Sequence, residues 1–325
     1  MSESWARLFI QMLYGEIRAA RPVVWLKAKL GNRETRRIIM NNIFGVKVMD
    51  DYIRMCHDGV RQGWHERNGG NLTYRMTEEE VTECRPYFKA EPGSWVKLGV
   101  QADNLKGEYF ISTGSGKFLQ NVGLEPQNSI CIVEINDMGD SYRIVWGLEN
   151  GGRPTSEFPT HFMNHSVRKR VTNGANRVIY HAHTPYVIAL TYVLPLKAEV
   201  FTRMLWKSAT ECCVVFPGGV GVVPWMVPGG PEIAKATCVL MEKYDAAIWS
   251  FHGLFVSGPD FDTAFGLMHT IEKAAQIASI ALAANGGKAP RQMITDDNIR
   301  AIGRDFGVEL NEEILSYKPE EDDMF

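Results

Sequence analysis

Arg177-Val-Ile-Tyr-His-Ala-His-Thr184 is the stretch on which the reading of this chain turns. An apolar run opens it, and two histidines separated by one alanine close it. Successive side chains of a strand point to opposite faces, so His181 and His183 emerge together and can converge on one point. The segment 176–183 is therefore read as a strand that delivers two imidazoles at its end. A second stretch, Ile248-Trp-Ser-Phe-His252-Gly253, is another apolar strand ending in histidine. A glycine beside that histidine admits a close neighbour, which suits a ligand position. Neutral imidazole is the commonest metal-ligating side chain, and zinc accepts three such nitrogens while keeping a position open. Taken singly, neither signal is specific. Two histidines at a strand end also make ordinary polar contacts, and a lone His252 reads as a satisfied strand-end residue. The remaining histidines, His57, His65, His161, His165 and His269, fall on apparent helices or loops and are read as structural or surface residues.

Outward from these two strands, segments 109–113, 130–135, 142–147, 213–216, 221–226 and 247–257 also read as strands. Segments 47–64, 157–170, 185–194, 230–243, 260–284 and 296–305 read as helices. Strands and helices mix without strict alternation, which predicts an α/β sandwich rather than a doubly wound parallel sheet. No repeat or low-complexity tract interrupts the chain. Residues 1–39 differ from the rest, with eight basic side chains against three acidic ones. Within them Trp5, Leu8, Phe9 and Leu13 share one face of a basic amphipathic helix, read as an appended segment without catalytic role. Residues 40–318 read as a single domain, and 319–325 as an acidic tail.

Composition excludes several classes. A net charge of −3 gives no basic excess for neutralising nucleic-acid phosphates. The stretch Cys212–Pro231 lacks charge over about the length that spans a bilayer. Its prolines at 217, 224, 228 and 231 and its glycines forbid a continuous helix, so it is read as strand-turn-strand. The chain's start lacks the continuous apolar core of a secretion signal. Six cysteines without a C-x-x-C pair, two of them adjacent at 212 and 213 in an expected buried strand, read as reduced thiols of a cytoplasmic protein.

Thr155-Ser156-Glu157 precedes a helical run. Ser156 is the expected N-cap, which leaves Glu157 as an acid in the first turn. A free helix N-terminus also attracts anions such as phosphate. Two glycine-rich loops, Asn68-Gly-Gly-Asn71 and Thr113-Gly-Ser-Gly-Lys117, are further phosphate candidates, though each read by itself is an ordinary tight turn. Neither is a Walker loop, because Phe118 stands where Ser or Thr is required, and Gly114-x-Gly116 does not extend into a dinucleotide fingerprint.

Together these stretches resemble the class II aldolase and adducin family. The resemblance rests on Gly63-Trp-x-Glu-Arg-Asn-Gly-Gly-Asn-Leu-Thr73, Ser112-Thr-Gly-Ser-Gly-Lys-Phe118, Pro154-Thr-Ser-Glu157, His181-x-His183, Pro224-Trp-Met-Val-Pro-Gly229 and Phe251-His-Gly253. It runs from about residue 40 to residue 310. It implies a three-layer α/β/α sandwich around a mostly antiparallel central sheet. It implies one zinc ion (Zn2+) per subunit held by His181, His183 and His252, with Glu157 as catalytic acid/base. Asn68, Gly70, Asn71, Gly114, Ser115, Thr155 and Ser156 match positions around a substrate phosphate. Glu211 matches an acidic residue reaching a neighbouring subunit's site. The implied reaction is retro-aldol cleavage of a phosphorylated ketose by a homotetramer with interfacial active sites, without nucleic acid or membrane as partner. Related aldolases, 4-epimerases and dehydratases of the family need the same grips. Adducin-like interaction modules keep the fold without the ligands. Residues 1–39 have no counterpart in the family pattern.

Overall fold

The computed structural model describes residues 43–288 and 290–318. By internal contacts the chain divides into two units, Met1–Asp50 and Asp51–Phe325. In the first, the described residues 43–50 form a 3-10 turn, Ile43–Gly45, and the opening of helix α1, Lys47–Arg61. The amphipathic face of Trp5, Leu8, Phe9 and Leu13, the expected boundary after residue 39 and the acidic tail 319–325 lie outside the described residues.

The second unit carries a nine-stranded sheet among its described residues. In chain order its elements are β1 (Asn71–Arg75), α2 (Glu78–Cys84), β2 (Val96–Lys97), β3 (Tyr109–Thr113), α3 (Pro126–Ser129), β4 (Ile130–Ile135), β5 (Ser141–Gly147), α4 (Phe158–Val171) and β6 (Val178–Ala182). There follow α5 (Pro185–Leu190), α6 (Ala198–Ser208), α7 (Cys212–Val215), β7 (Gly221–Val223), α8 (Pro231–Leu240), β8 (Ala246–Trp249), β9 (Gly253–Gly258), α9 (Phe261–Ala284), α10 (Asp296–Phe306) and α11 (Glu312–Leu315). The strand order is β2-β5-β4-β3-β1-β6-β9-β8-β7. Every neighbouring pair is antiparallel except β7 with β8.

Strand alternation builds the layers on either side of this sheet. Thr73 of β1 turns its hydroxyl toward His161 and His165 of α4, 2.8 Å from each. Its neighbour Tyr74 points the opposite way and lays its ring 4.6 Å from Phe261 of α9. Helices α4 and α8 thus cover one face, packed on each other, while α9, packed on α5 and α6, covers the other. Between β3–β4 and α4 lie Phe110, Val133, Phe158 and Phe162. Between β6–β9 and α8 lie Ile179, Trp249, Phe255 and Ile233. The expected α/β/α sandwich around a mostly antiparallel sheet is the observed one.

Several local expectations need correction. The predicted strand 213–216 is a single helical turn, α7, because Val215 N–H returns to Glu211 O and Pro217 ends the run. A four-residue apolar run carries no periodicity that separates strand from buried helix. Cys212 and Cys213 are consequently helical, though buried and unpaired like the other cysteines, of which Cys238 alone is partly exposed. Segment 247–257 is two strands, β8 and β9, joined by a tight turn in which Phe251 takes φ +62°. His252 therefore sits in that turn and not at the end of a strand. Ser156 is not the cap of α4: Glu157 holds that position, Pro159 follows in the first turn, and no side chain caps the helix. Strands β1 and β2 and helices α2, α3, α6 and α11 are additions to the expected set. No helix among the described residues is long and apolar enough to cross a membrane.

Candidate metal centre

Four adjacent strands bring their ends to one rim of the sheet. In the antiparallel register Asn71 at the start of β1 lies opposite His181 near the end of β6. His181 in turn lies opposite Phe255 of β9, whose first residue, Gly253, follows His252. Strand β3 ends beside the start of β1, where Leu72 N–H donates to Thr113 Oγ1 over 3.3 Å. Residues directly opposite in such pairs share a face, so Asn71 and His181 look toward the side that α4 covers.

There the three predicted histidines converge. His181, His183 and His252 place ligand nitrogens within 4.8 Å of one another, and the Nε2 atoms of His181 and His252 are 3.4 Å apart. The ring orientations are set from behind. His181 Nδ1 donates to Leu254 O over 3.1 Å, a carbonyl that only accepts, so its Nε2 presents a lone pair to the cluster. His183 Nδ1 lies 2.5 Å from Glu66 Oε1, and its backbone N–H donates to Trp64 O. A carboxylate behind a ligating histidine fixes its tautomer and raises its basicity. His181 is 1% exposed, and burial first, then the neighbouring His252 and His183, holds its pKa well below the usual imidazole range. Burial lowers His252 to about 4. Glycine makes the approach possible at two points. A Cβ on Gly69 would lie 2.8 Å from His183 Cε1, and one on Gly253 would lie 2.3 Å from Ala182 O. Three imidazoles facing one another are the donor set that zinc accepts with a position left open, so the residues present fit that ion.

Glu157 overlies the same face from the start of α4. It is 8% exposed, and its Oε2 accepts from Asn71 Nδ2 over 3.0 Å. Burial raises its pKa, opposed by the Asn71 hydrogen bond and by proximity to His183. Asn71, singled out as a phosphate contact, also holds the Glu157 carboxyl through this hydrogen bond.

The other predicted contacts gather at the adjoining edge. Ser115 N–H donates to Arg153 O over 2.9 Å, and Thr155 N–H donates to Thr113 O over 2.7 Å, strapping the Ser115 loop to the Thr155–Ser156 corner. Glu157 N–H donates to Thr155 Oγ1. Gly114 spends its own N–H on Ser129 O, so it offers close approach rather than a donor. Asn68 and Ser156 are exposed on the rim, and Gly70, half-buried with φ +72°, lies between Gly69 and Asn71. Glu211 is not brought to this cluster. It stands exposed at the start of α7, which packs on α6, α9 and α10.

The sequence reading missed Glu66 and His65. His65 donates from Nδ1 to Gly69 O at 3.0 Å, and its Nε2 accepts from Tyr180 O–H at 2.6 Å, so it holds the loop that Gly69 and Asn71 occupy. The available signal was an acid and a histidine immediately before the Asn-Gly-Gly-Asn loop.

A sheet with a three-histidine rim and a buried glutamate beside it is the arrangement of a class II, metal-dependent aldolase. The family model of the class II aldolase and adducin N-terminal domain matches residues 50–279, and the chain belongs to that family. It is 43% identical over 280 residues to the rhamnulose-1-phosphate aldolase of Klebsiella pneumoniae, an alignment covering 86% of this chain and 100% of that protein. It is 46% identical over 256 residues to the rhamnulose-1-phosphate aldolase of Pectobacterium atrosepticum, covering 79% of this chain and 92% of that one. Among solved structures it is similar to a sugar-phosphate aldolase from Thermotoga maritima, with a TM-score of 0.63 and 26% identity over 75% of this chain and 97% of that chain.

Proposed function

We propose that this chain is a zinc-dependent lyase that cleaves L-rhamnulose 1-phosphate reversibly into dihydroxyacetone phosphate and L-lactaldehyde. The observation that carries the reading is 43% identity over the whole length of the Klebsiella rhamnulose-1-phosphate aldolase, in a chain whose histidines and Glu157 converge at one rim. Zinc held by His181, His183 and His252 would supply Lewis-acid polarisation of the substrate's oxygens.

The chain's own residues account for the rest. As the C3–C4 bond breaks, the C4 hydroxyl releases its proton and becomes the carbonyl of L-lactaldehyde, and the bonding pair stays on C3 of the three-carbon fragment, which must be protonated. Glu157 is placed to carry that proton, because burial favours its neutral form and Asn71 fixes its carboxyl. In the condensation direction the same carboxylate removes it. Ser115, Thr155, Ser156, Asn68 and Asn71 hold the remote phosphate, with close backbone approach at Gly70 and Gly114, so that binding energy fixes the reacting carbons. No Schiff-base lysine is required.

We assign the protein to the cytoplasm and to rhamnose catabolism, as a homotetramer in which Glu211 serves a neighbouring subunit's site. The catalytic domain spans residues 40–318. Six cysteines without a disulfide fit a reducing compartment. A coupled assay offering L-rhamnulose, L-fuculose and L-ribulose phosphates separately tests the assignment. Cleavage of the rhamnulose ester at the highest kcat/KM supports it, and a preference for either other ester refutes it.

A further inference from the structure

Helix α5 begins two residues after His183, and its first turn shows an unusual division of labour. The first backbone N–H groups of a helix lack intrahelical partners and are ordinarily met by a local side chain at the cap position. Here Pro185 brings no N–H, and Ile188 N–H opens the intrahelical ladder to Thr184 O at 3.0 Å. The two amides between them belong to Tyr186 and Val187. Thr184 occupies the cap position with an extended backbone, yet its hydroxyl accepts from neither and is buried without a partner among the described residues. Both amides go to one carboxylate on another helix. Tyr186 N–H donates to Glu272 Oε1 at 3.0 Å, and Val187 N–H donates to Glu272 Oε2 at 2.9 Å. Glu272 lies on α9, 5% exposed, 86 residues along the chain from Tyr186.

We infer that Glu272 is a positioning residue for His183, and through it for the affinity of the histidine site for its metal. The inference rests on the metal reading above. Its physical content is a tether. His183 is held on one side by the exposed Glu66 and by the carbonyl of Trp64, a buried residue whose ring lies 5.5 Å from Phe265 of α9. On its other side the chain turns at once into α5, a helix of six residues. So short a helix has little stability of its own and takes its direction from what it packs against. Capping by Thr184 would close the turn locally and leave the helix start to be placed by the apolar packing of α5 on α9, which lacks directional contacts. Capping by Glu272 ties the turn to α9, the 24-residue helix that spans one face of the sheet. The two oxygens take one amide each, so they fix the position of the helix start and also its orientation. A displaced helix start would carry Thr184 and His183 with it, and three imidazoles that must meet one ion tolerate little displacement.

The test compares the wild-type protein, Glu272→Leu and Glu272→Gln, each stripped of metal and titrated with zinc against a chromophoric chelator. Amide hydrogen exchange is followed at Tyr186 and Val187. Leucine removes both acceptors, and the expected result is a loss of at least about tenfold in zinc affinity, the scale seen for groups behind a metal ligand. Exchange at the two amides should quicken, with the far-ultraviolet spectrum unchanged. Glutamine keeps one carbonyl and should fall between. Zinc affinity within twofold of wild type in Glu272→Leu, with both amides deprotected, overturns the proposal. If that variant does not fold, unchanged affinity in a folded Glu272→Gln with a deprotected amide overturns it equally. A wild-type chain that takes up no zinc refutes the metal reading underneath, an outcome distinct from zinc uptake that the variants leave unaltered.

Discussion

Replacing Glu157 by glutamine separates the proposed proton carrier from the site around it. The structure indicates why the substitution should spare the fold. Glu157 Oε2 accepts one hydrogen bond, from Asn71 Nδ2, and a glutamine carbonyl at the same place accepts it too. A retained neutral hydrogen bond leaves any stability cost within about 1 kcal/mol. The sign of the charge effect is also favourable. Burial raises the carboxyl's pKa in the folded state, so ionisation opposes folding at neutral pH and its removal relieves that cost. The thermal midpoint at pH 7 should therefore stay level or rise. Zinc content should stay near one per chain, because no histidine loses its partner. Turnover is another matter. A positioned acid/base is worth about 10²–10⁴-fold, or roughly 3–5 kcal/mol at about 1.4 kcal/mol per tenfold. Continuous reduction of the dihydroxyacetone phosphate released, followed by NADH absorbance, should show kcat falling by at least about a hundredfold. KM should change little, since the phosphate contacts are untouched. A folded, zinc-loaded Glu157→Gln with kcat within tenfold of wild type removes Glu157 from the role.

Three further outcomes follow from the same contacts. Glu66→Ala leaves His183 Nδ1 without its carboxylate, and zinc affinity measured by chelator competition should fall by about tenfold; an unchanged constant would make that contact incidental. Gly253→Ala sets a Cβ 2.3 Å from Ala182 O at the rim where His181 and His252 meet, so the variant should bind zinc far more weakly or fail to fold; normal uptake would show that the backbone can give way. Glu272 has its pKa raised to about 7 by burial against a usual 4.5, with the two amide bonds opposing the shift. The folded state thus holds that proton more tightly than the unfolded one. Its contribution is fully present below about pH 4.5 and is lost as pH rises through 7, at most about 3 kcal/mol. Urea midpoints of the metal-free protein should decline over that window, and Glu272→Gln should flatten the decline; parallel curves for the two proteins would exclude the carboxyl as its source.

What could be read in the sequence was whatever repeats at short range. The continuous β-branched and aromatic run before His181 marks a strand buried on both faces, and the length and pattern of 260–284 mark a helix, so both elements and the two-histidine pair were legible. Strand β1 was not. Its inward residues are Asn71, Thr73 and Arg75, polar side chains buried because Glu157, His161, His165 and Glu108 meet them. Asn71-Leu-Thr-Tyr-Arg75 does alternate, but over five residues only, and its polar set is buried rather than solvated because the partners come from far along the chain. The same applies to Glu66, 117 residues from His183, and to Glu272. His161 and His165 are structural as expected, yet they are fully buried against Thr73 in a helix of mixed polarity that only tertiary contacts explain. Helices α2 and α6 were legible and overlooked: Thr77-Glu-Glu-Glu80 is a capping box, and Val200, Phe201, Met204 and Leu205 keep helical spacing.

The metal carries the account, and its removal and return test it most directly. Protein dialysed against a chelator and then against metal-free buffer should lose cleavage of L-rhamnulose 1-phosphate. One equivalent of zinc per chain should restore it, while a His181→Ala, His183→Ala or His252→Ala chain should regain little. Full cleavage by the metal-free protein would contradict the account, as would a stoichiometrically zinc-loaded protein that leaves the ester intact.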